Sequence, residues 1–192
     1  MHIIDCKGLK CPEPVINTKK YLDSIAEGEA QIVVDNQTAS ENVSKLCKSL
    51  GVDFKTENKD GLFYVYAKKQ ECITCNPMTF DDNLVIFIGK SVLGSGDDKL
   101  GEILMKSYMF ALSESDKIPK TLIFVNGGVK LTTEGSNVIE SLRSLKAKGT
   151  EILSCGTCLD FYNLQDKLLI GEISNMYTII EKMNNGSNMI VL

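Results

Sequence analysis

The chain has 192 residues, of which 43% are hydrophobic, so it can bury one sizeable core or two small ones. Its net charge of −4 argues against a standing role on nucleic acid, because phosphate binding needs a concentrated basic face. No apolar run approaches the roughly 18 residues that span a bilayer, and the start lacks the pattern of an export signal, so we expect a cytoplasmic protein. Seven cysteines, an odd number in a chain expected to stay reduced, argue against a full disulfide framework and indicate a chemical use.

A cysteine–proline motif at residues 11–14 follows the first predicted strand and a glycine, Gly8. Pro12 has the fixed φ of a first helical residue, which predicts a helix over residues 12–26. Cys11 then occupies the N-cap, where the positive end of the helix dipole favours the thiolate over the thiol. Gly8 permits a tight reversal that keeps the sulfur accessible. The pattern favours a nucleophilic Cys11 over the alternative, a buried cysteine that happens to precede a helix.

Lysines surround this motif, at Lys7, Lys10, Lys19 and Lys20. Two interpretations are open at this stage. In the first, the cations lower the pKa of the Cys11 thiol and attract an acidic partner protein. In the second, they form an ordinary solvated helix face.

These residues resemble the TusA/SirA family of small sulfur-carrier proteins over roughly residues 1–68. The likeness is carried by Asp5, Gly8, Leu9, the 11–14 motif with its helix, and a later Ala-Ser-Glu-Asn-Val stretch at 39–43. The resemblance implies that Cys11 holds a persulfide and that four neighbours support it, namely Gly8, Pro12, Glu13 and Pro14. Cys6 stands where the family more usually has a basic residue, and we expect that Cys6 is not an accessory thiol.

The rest of this first domain continues the alternation of strands and helices. Residues 31–35 form a predicted buried strand, and residues 38–41 have the form of a capping box that starts a second helix ending near Gly51. Cys47 falls on the apolar side of that helix, so we interpret it as a core residue. A hairpin over residues 52–67 follows, with a glycine-containing turn. The order βαβαββ predicts a two-layer sandwich, with two helices on one face of a four-stranded sheet.

The composition changes over residues 69–83, which we interpret as a linker between two domains. It contains a Cys-x-x-Cys pair, Cys72 and Cys75. The spacing suits half of a zinc site or a redox dithiol, although the only histidine is His2 and no second pair lies within the usual reach of a zinc ribbon. The alternative is an accidental, solvent-exposed pair.

Residues 84–192 have the pattern of an alternating α/β domain. Apolar runs predict four strands, at 84–88, 121–125, 151–154 and 188–192. Three helices are predicted between them, ending at Leu112, spanning about 135–148, and starting after 174–175. Successive βα units imply a mostly parallel sheet with right-handed crossovers, in a three-layer α/β domain. The glycine loop at 94–98 lacks the spacing of a nucleotide-binding loop, and we interpret it as the small-residue mouth of a pocket.

Unusual residues follow three of the predicted strands in this domain. They are the loop at 94–98, the Asn-Gly-Gly sequence at 126–128, and the pair Cys155 and Cys158. Catalytic groups collect at the carboxyl ends of parallel strands, so we expect these segments to face one another. The two thiols can form a reversible disulfide, or one can hold a sulfane adduct that the other attacks. The alternative is a pair of structural cysteines packed under Phe161 and Tyr162.

Residues 84–192 resemble DsrE/DsrF-like sulfurtransferase subunits, through residues 126–129, 155–160 and 171–177. The domain order is similar to that of YedF-type sulfurtransferase-like proteins, which are associated with selenium metabolism. The resemblance implies that Cys155 is the counterpart of Cys11 in this domain, and that Cys158 has the resolving position. It also implies that Asn126 and Gly127 support the pair, and it makes a homo-oligomer through this domain an expectation.

Together these patterns predict a carrier that receives sulfane sulfur, or selenium at the same oxidation level, on Cys11 and passes it on. No cofactor is expected, because the covalent persulfide or selenopersulfide stores the reactivity. The expected partners are a cysteine desulfurase or another donor protein, and an acceptor protein, with no direct contact to nucleic acid or membrane. Two rival functions stay open, a thiol–disulfide oxidoreductase that uses Cys155 and Cys158, and a non-enzymatic regulatory or assembly module.

Overall fold

The computed structural model describes residues 1–10, 12–70 and 83–192. The chain divides into two compact units, and the division falls within residues 71–82. The predicted linker therefore lies almost entirely outside the described residues, and so do Cys72 and Cys75. In the part of the chain that is described, no helix combines the length and the apolar character needed to cross a membrane.

The described residues of the first unit form four strands and two helices in the predicted order βαβαββ. These are β1 (His2–Asp5), α1 (Glu13–Ser24), β2 (Gly28–Val34), α2 (Gln37–Ser49), β3 (Asp53–Lys59) and β4 (Leu62–Lys69). The sheet order is β1-β2-β4-β3, with β1 parallel to β2 and the other two pairings antiparallel. The turn between β3 and β4 has positive φ angles at Asp60 and Gly61, as the two-residue hairpin turn requires.

Both helices pack on one face of this sheet. Every second residue of the central strand β2 enters the core, because side chains alternate between the two faces of a strand. The core joins these strand residues to the apolar sides of α1 and α2 and includes Ala30, Ile32, Val34, Leu22, Val43 and Cys47. The predicted two-layer sandwich and the core position of Cys47 are confirmed.

The two helices begin at residues other than those predicted. Pro12 is the N-cap of α1, with φ −98° and ψ 11°, and the helix starts at Glu13. The N-cap prediction for Cys11 is therefore wrong by one residue. Helix α2 is capped by Asn36, whose side-chain oxygen accepts the Ala39 N–H at 2.8 Å, so the predicted capping box at 38–41 is also wrong. Asn36 has the extended backbone conformation of an N-cap residue, and its side-chain oxygen accepts an N–H of the first helical turn. The helix therefore begins at Gln37, ahead of Thr38.

The second unit is built on a parallel sheet. Its strands are β5 (Leu84–Ile88), β6 (Thr121–Phe124), β7 (Glu151–Cys155), β8 (Glu172–Ser174) and β9 (Asn188–Val191). Its α-helices are α3 (Asp98–Ser113), α4 (Ile139–Ala147), α5 (Gly156–Phe161) and α6 (Met176–Asn184), and 3-10 helices cover Asn126–Thr132 and Gln165–Lys167. The sheet order is β8-β7-β6-β5-β9, and every described pairing in it is parallel.

Helices cover both faces of this sheet. On one face, α3 and α4 pack against alternate strand residues in a core that contains Met105, Leu142, Leu122 and Phe124. On the other face, Ile179 of α6 packs with the remaining alternate residues, including Val85, Ile123 and Cys155. The predicted three-layer α/β arrangement is confirmed. Strand β8 and helix α5 were not predicted, because three and six residues are too few to show a periodic pattern.

A close approach at Gly128 brings the 3-10 helix Asn126–Thr132 against the end of β5. A Cβ atom at Gly128 would lie 2.2 Å from the carbonyl oxygen of Ile88, so no other residue fits there without a shift. A Cβ at Gly127 would lie no closer than 3.7 Å to the backbone of residues 89–91. The ends of β5 and β6 therefore meet at the carboxyl edge of the sheet.

Candidate functional site

The loop before position 11 is tied to the end of β2. The Cys6 N–H donates to the Val33 carbonyl at 2.8 Å, and the Gly8 N–H donates to a carboxylate oxygen of Asp35 at 2.7 Å. Gly8 has φ +74°, the left-handed region that glycine adopts without strain. The Gly8 N–H lowers the pKa of Asp35, with a further contribution from the Asn36 side-chain amide. Asp35 was missed in the sequence, because its contact spans 27 residues.

Cys11 itself lies outside the described residues. Its chain neighbours are described, and the Lys10 carbonyl accepts the Glu13 N–H at 2.9 Å. A cavity of about 220 Å³ opens between the first turns of α1 and α2. It is lined by Leu9, Lys10, Pro14, Val15, Asn36, Thr38, Ala39 and Asn42. Residues on both sides of position 11 in the chain thus border a cavity.

The two cysteines that the structure describes in this unit are buried. Cys6 is 1% exposed and Cys47 is 0% exposed. Burial raises the pKa of both thiols, which keeps them protonated and unreactive at neutral pH. These properties support the expectation that Cys6 is not an accessory thiol.

Two of the lysines near position 11 pair with carboxylates of their own segment. Lys7 lies 3.3 Å from Asp5, and Lys19 lies 2.7 Å from Asp23 in the next turn of α1. All four side chains are at least partly exposed, so these pairs contribute little to stability. The pairs fit the interpretation of a solvated face.

In the second unit, Cys155 and Cys158 are both free thiols at the end of β7. Cys155 is the last residue of β7 and is 3% exposed, whereas Cys158 lies in α5 and is partly exposed. The Cys158 sulfur accepts the backbone N–H of Asn126 at 3.0 Å. The structure therefore brings together the ends of β6 and β7, and the close approach at Gly128 places the end of β5 beside them.

The thiol of Cys158 is subject to opposing influences. Burial raises its pKa, the N–H of Asn126 opposes that rise, and the neighbouring Cys155 adds to it. A hydrogen bond from an N–H to sulfur favours the thiolate, because the donor stabilises negative charge. The net result is a raised pKa for Cys158, and the Asn126 N–H is the group that limits the rise.

The loop at 94–98 has a structural role beside this edge. The Asp97 side chain caps α3 by accepting the Leu100 N–H at 2.9 Å. Of the three segments expected to face one another, 126–128 and 155–158 are joined by the hydrogen bond from Asn126 to Cys158. The place of the 94–98 loop opposite them stays a prediction.

Aromatic side chains flank the cysteine pair. Phe161 is 78% exposed, so it does not bury the thiols as the structural interpretation requires. Tyr162 packs edge-on against Phe161 with ring centroids 5.1 Å apart, and the Lys130 ammonium lies 4.7 Å from the centre of the Tyr162 ring. The Tyr162 hydroxyl donates to the side-chain oxygen of Asn126 at 2.9 Å. In the sequence, Tyr162 stood out only as a side chain that would cover the thiols, and no signal identified Lys130.

Two protein families match the chain. Residues 2–69 match the family described as sulfurtransferase TusA, and residues 105–192 match the DsrE/DsrF-like family. The first segment contains Cys11 and the four residues predicted to support it, Gly8, Pro12, Glu13 and Pro14. The second contains Cys155, Cys158, Asn126 and Gly127.

Solved structures from three organisms are similar to parts of the chain. The SirA-like protein from Desulfitobacterium hafniense is 34% identical, with 37% of this chain and 100% of that protein covered and a TM-score of 0.36. The ychN protein from E. coli is 16% identical, with 57% and 99% covered and a TM-score of 0.46. A protein of unknown function from Methanobacterium thermoautotrophicum is 19% identical, with 57% and 97% covered and a TM-score of 0.42. The two family matches assign residues 2–69 of the chain to the sulfurtransferase TusA family and residues 105–192 to the DsrE/DsrF-like family.

Proposed function

We propose that the protein is a sulfur carrier and transferase that receives sulfane sulfur on Cys11 as a persulfide and passes it to an acceptor thiol. The observation that carries the proposal is the match of residues 2–69 to the TusA family, since TusA and DsrE proteins act in sulfur relay. The cavity between the starts of α1 and α2 supports it, because a partner must bring its own sulfur close to position 11. The burial of Cys6 and Cys47 leaves neither of them suited to this exchange.

The transfer is an exchange of one sulfur–sulfur bond for another. The Cys11 thiolate attacks the outer sulfur of a donor persulfide, and the donor cysteine leaves as a thiolate. The acceptor thiolate later attacks the outer sulfur on Cys11 and regenerates the Cys11 thiolate. Neither step changes the total number of electrons on sulfur, so the exchange requires no added oxidant or reductant. Selenium in place of the outer sulfur follows the same steps.

The expected donor is a cysteine desulfurase or a similar protein, and the acceptor is another protein thiol. Cys155 and Cys158 are the acceptor site within the same chain, supported by Asn126 and Gly127. We further propose a cytoplasmic location and assembly into a homo-oligomer through the second unit. The carrier chemistry involves no resident cofactor, since the cargo is bound covalently to cysteine.

Mass spectrometry after incubation with a cysteine desulfurase and free cysteine tests the function. We expect a gain of one sulfur atom that maps to Cys11, its absence in Cys11→Ser, and its persistence in Cys47→Ser. A parent protein that gains no sulfur under conditions in which the desulfurase loads a known carrier would contradict the proposal. Growth with selenite, followed by elemental analysis of the purified protein, distinguishes selenium from sulfur as the cargo.

A second candidate function is thiol–disulfide exchange at Cys155 and Cys158, favoured by the proximity of the two free thiols at the end of β7. Under mild oxidation we expect the pair to form a disulfide, seen as the loss of two hydrogens. Peptide mapping that finds both thiols free while the fold is intact would contradict a shared site. Loss of two hydrogens without any sulfur uptake at Cys11 would favour the oxidoreductase over the carrier, and no change in either assay would favour a regulatory module.

A further inference from the structure

The two thiols at the end of β7 differ in how a partner can reach them. Cys155 is 3% exposed and lies in an apolar cluster with Val85, Ile123 and Ile179. Cys158 packs against the same cluster but is partly exposed. A thiol that takes sulfur from another protein must meet the outer sulfur of the incoming persulfide, and it must ionise to attack it. Access therefore favours Cys158.

The hydrogen bond from Asn126 favours the same thiol. Its N–H points to the Cys158 sulfur at 3.0 Å, and a donor in this position stabilises negative charge on that sulfur. Asn126 holds this direction in the left-handed backbone region, with φ +48°, which asparagine tolerates better than most residues. The φ angle sets the direction of the N–H relative to the Asn126 side chain, so a restraint on that side chain also restrains the N–H.

Tyr162 supplies such a restraint. Its hydroxyl donates to the Asn126 side-chain oxygen at 2.9 Å, and its own N–H donates to the Cys158 carbonyl at 3.1 Å. Tyr162 thus links the two residues that form the N–H to sulfur contact. Its ring is fixed on two sides, by Phe161 edge-on and by the Lys130 ammonium over the ring.

We propose that Cys158 is the thiol of this pair that takes up sulfane sulfur, and that Tyr162 is a positioning residue that holds the Asn126 N–H on the Cys158 sulfur. This proposal rests on the proposed function and reverses the order of the two cysteines that the family resemblance implies. The Cys158 thiolate attacks the outer sulfur of a persulfide. A new sulfur–sulfur bond forms at Cys158, the donor's bond breaks, and the donor cysteine leaves as a thiolate.

The positioning role is tested on the protein without bound sulfur. Alkylation by iodoacetamide is followed across pH by peptide mapping, for the parent, Tyr162→Phe and the control Tyr177→Phe, which changes an exposed tyrosine in α6. In Tyr162→Phe we expect the midpoint of the pH dependence of Cys158 alkylation to move to higher pH. The alkylation rate of Cys158 at neutral pH should fall roughly fivefold, because one hydrogen bond to the site is weakened. The alkylation profile of Cys155 and the midpoint temperature of thermal unfolding should stay as in the parent. An unchanged Cys158 profile, or equal changes at both thiols with a lower thermal midpoint, would overturn the positioning role.

The coupling between Tyr162 and Asn126 has its own test. Asn126→Gly keeps the left-handed backbone accessible but removes the side chain that Tyr162 holds. We expect this variant to reproduce the shift of the Cys158 profile, and the double variant with Tyr162→Phe to add nothing to it. Additive shifts would show that the two residues act separately and would overturn the proposed link.

The order of the thiols is tested with disodium tetrasulfide, which loads thiolates directly, in a Cys11→Ser background. With Cys155→Ser added, we expect one sulfur on Cys158; with Cys158→Ser added, we expect Cys155 to load at least tenfold more slowly, as its burial implies. Faster loading of Cys155 would overturn the order while leaving the function proposed for Cys11 intact. Conversely, failure of Cys11 to accept sulfur from a desulfurase would contradict the proposed function without changing the outcome of either thiol test.

Discussion

At the scale of single residues, environment separates cysteines that are chemically identical. Cys6 and Cys47 belong to the core of the first unit, and burial raises the pKa of each. Burial also raises the pKa of Cys158, but its side chain is partly exposed, and the Asn126 N–H limits the rise. A thiolate is the reactive form, so the position of each cysteine in the fold determines which of them can exchange sulfur.

We predict that Cys11 reacts with limiting iodoacetamide at neutral pH faster than Cys47. Cys47 must first be exposed by unfolding, whereas Cys11 follows Lys10, a residue at the rim of the cavity between α1 and α2. The measurement is peptide mapping of the folded protein at short reaction times. Equal rates, or a faster Cys47, would remove the main argument for Cys11 as the nucleophile; in denaturant the two rates should converge.

A pH dependence follows from Asp35. The Gly8 N–H lowers the pKa of this carboxylate in the folded state, so its stabilising contribution is fully present above the unfolded pKa, about 4. That contribution is lost as the pH falls through the lower, folded pKa. We expect Asp35→Asn to destabilise the first unit modestly at pH 7, and the difference from the parent to shrink below about pH 4.

Urea unfolding between pH 2 and 7, monitored through hydrogen exchange of residues 12–70, measures the difference in stability between Asp35→Asn and the parent. Asp60→Asn, which makes the same change of charge in the β3–β4 turn, is the control. A constant difference between Asp35→Asn and the parent over the whole range would contradict the linkage to Gly8.

At the scale of elements, the strands and the hairpin that are marked by apolar runs or by a glycine turn were predictable from the sequence. The apolar runs at 84–88 and 121–125 became adjacent strands, and the β3–β4 hairpin formed around its glycine turn. The helix starts were less accurate, because Asn36 and Thr38 are both good capping residues and only the backbone conformation decides between them.

The candidate site was partly predictable for a similar reason. Strand-end reasoning placed Asn126 near Cys158, because the carboxyl ends of parallel strands share one edge. The role of Tyr162 was not predictable, since its bond to Asn126 spans 36 residues and depends on the direction in which α5 leaves β7. Asp35 was missed for the same reason.

Gly128 provides a test at this scale. Alanine at this position would place Cβ 2.2 Å from the Ile88 carbonyl oxygen, so the 3-10 helix must move away from β5. We expect Gly128→Ala to lower the free energy of unfolding of the second unit by roughly 1–3 kcal/mol or more, the range for overpacking. Gly127→Ala is the matched control, because its Cβ would have only ordinary contacts. Chemical denaturation of the two variants should separate them, and equal stabilities would show that the close approach carries no cost.

At the scale of the whole molecule, the chain joins segments that match two sulfur-relay families, and each segment contains cysteines of its own. Tethering turns a second encounter into an intramolecular one, and the effective concentration can then reach about the millimolar range. The roughly 15 residues between the two predicted domains could span at most about 50 Å when extended. That length exceeds the radius of a small domain, so reach does not prevent transfer within one chain.

We predict that the two sites communicate. Label loaded on Cys11 as sulfane sulfur should appear later on Cys155 or Cys158, since each exchange regenerates a thiolate at the donor and leaves the cargo on the acceptor. Cys11→Ser should prevent loading of the second site by the physiological donor. The experiment loads the protein with labelled sulfane sulfur, quenches it at intervals and maps the labelled peptides.

Transfer within a chain and transfer between subunits can be separated by mixing. Cys11→Ser protein mixed with a variant that keeps Cys11 but lacks both Cys155 and Cys158 can relay label only between chains. If the mixture transfers label as fast as the parent, at a rate that depends on concentration, the relay runs between subunits. If instead Cys11→Ser alone acquires label on Cys155 or Cys158 from the same donor at the parental rate, the second site does not depend on Cys11. The two units would then be independent sulfur sites that share one chain.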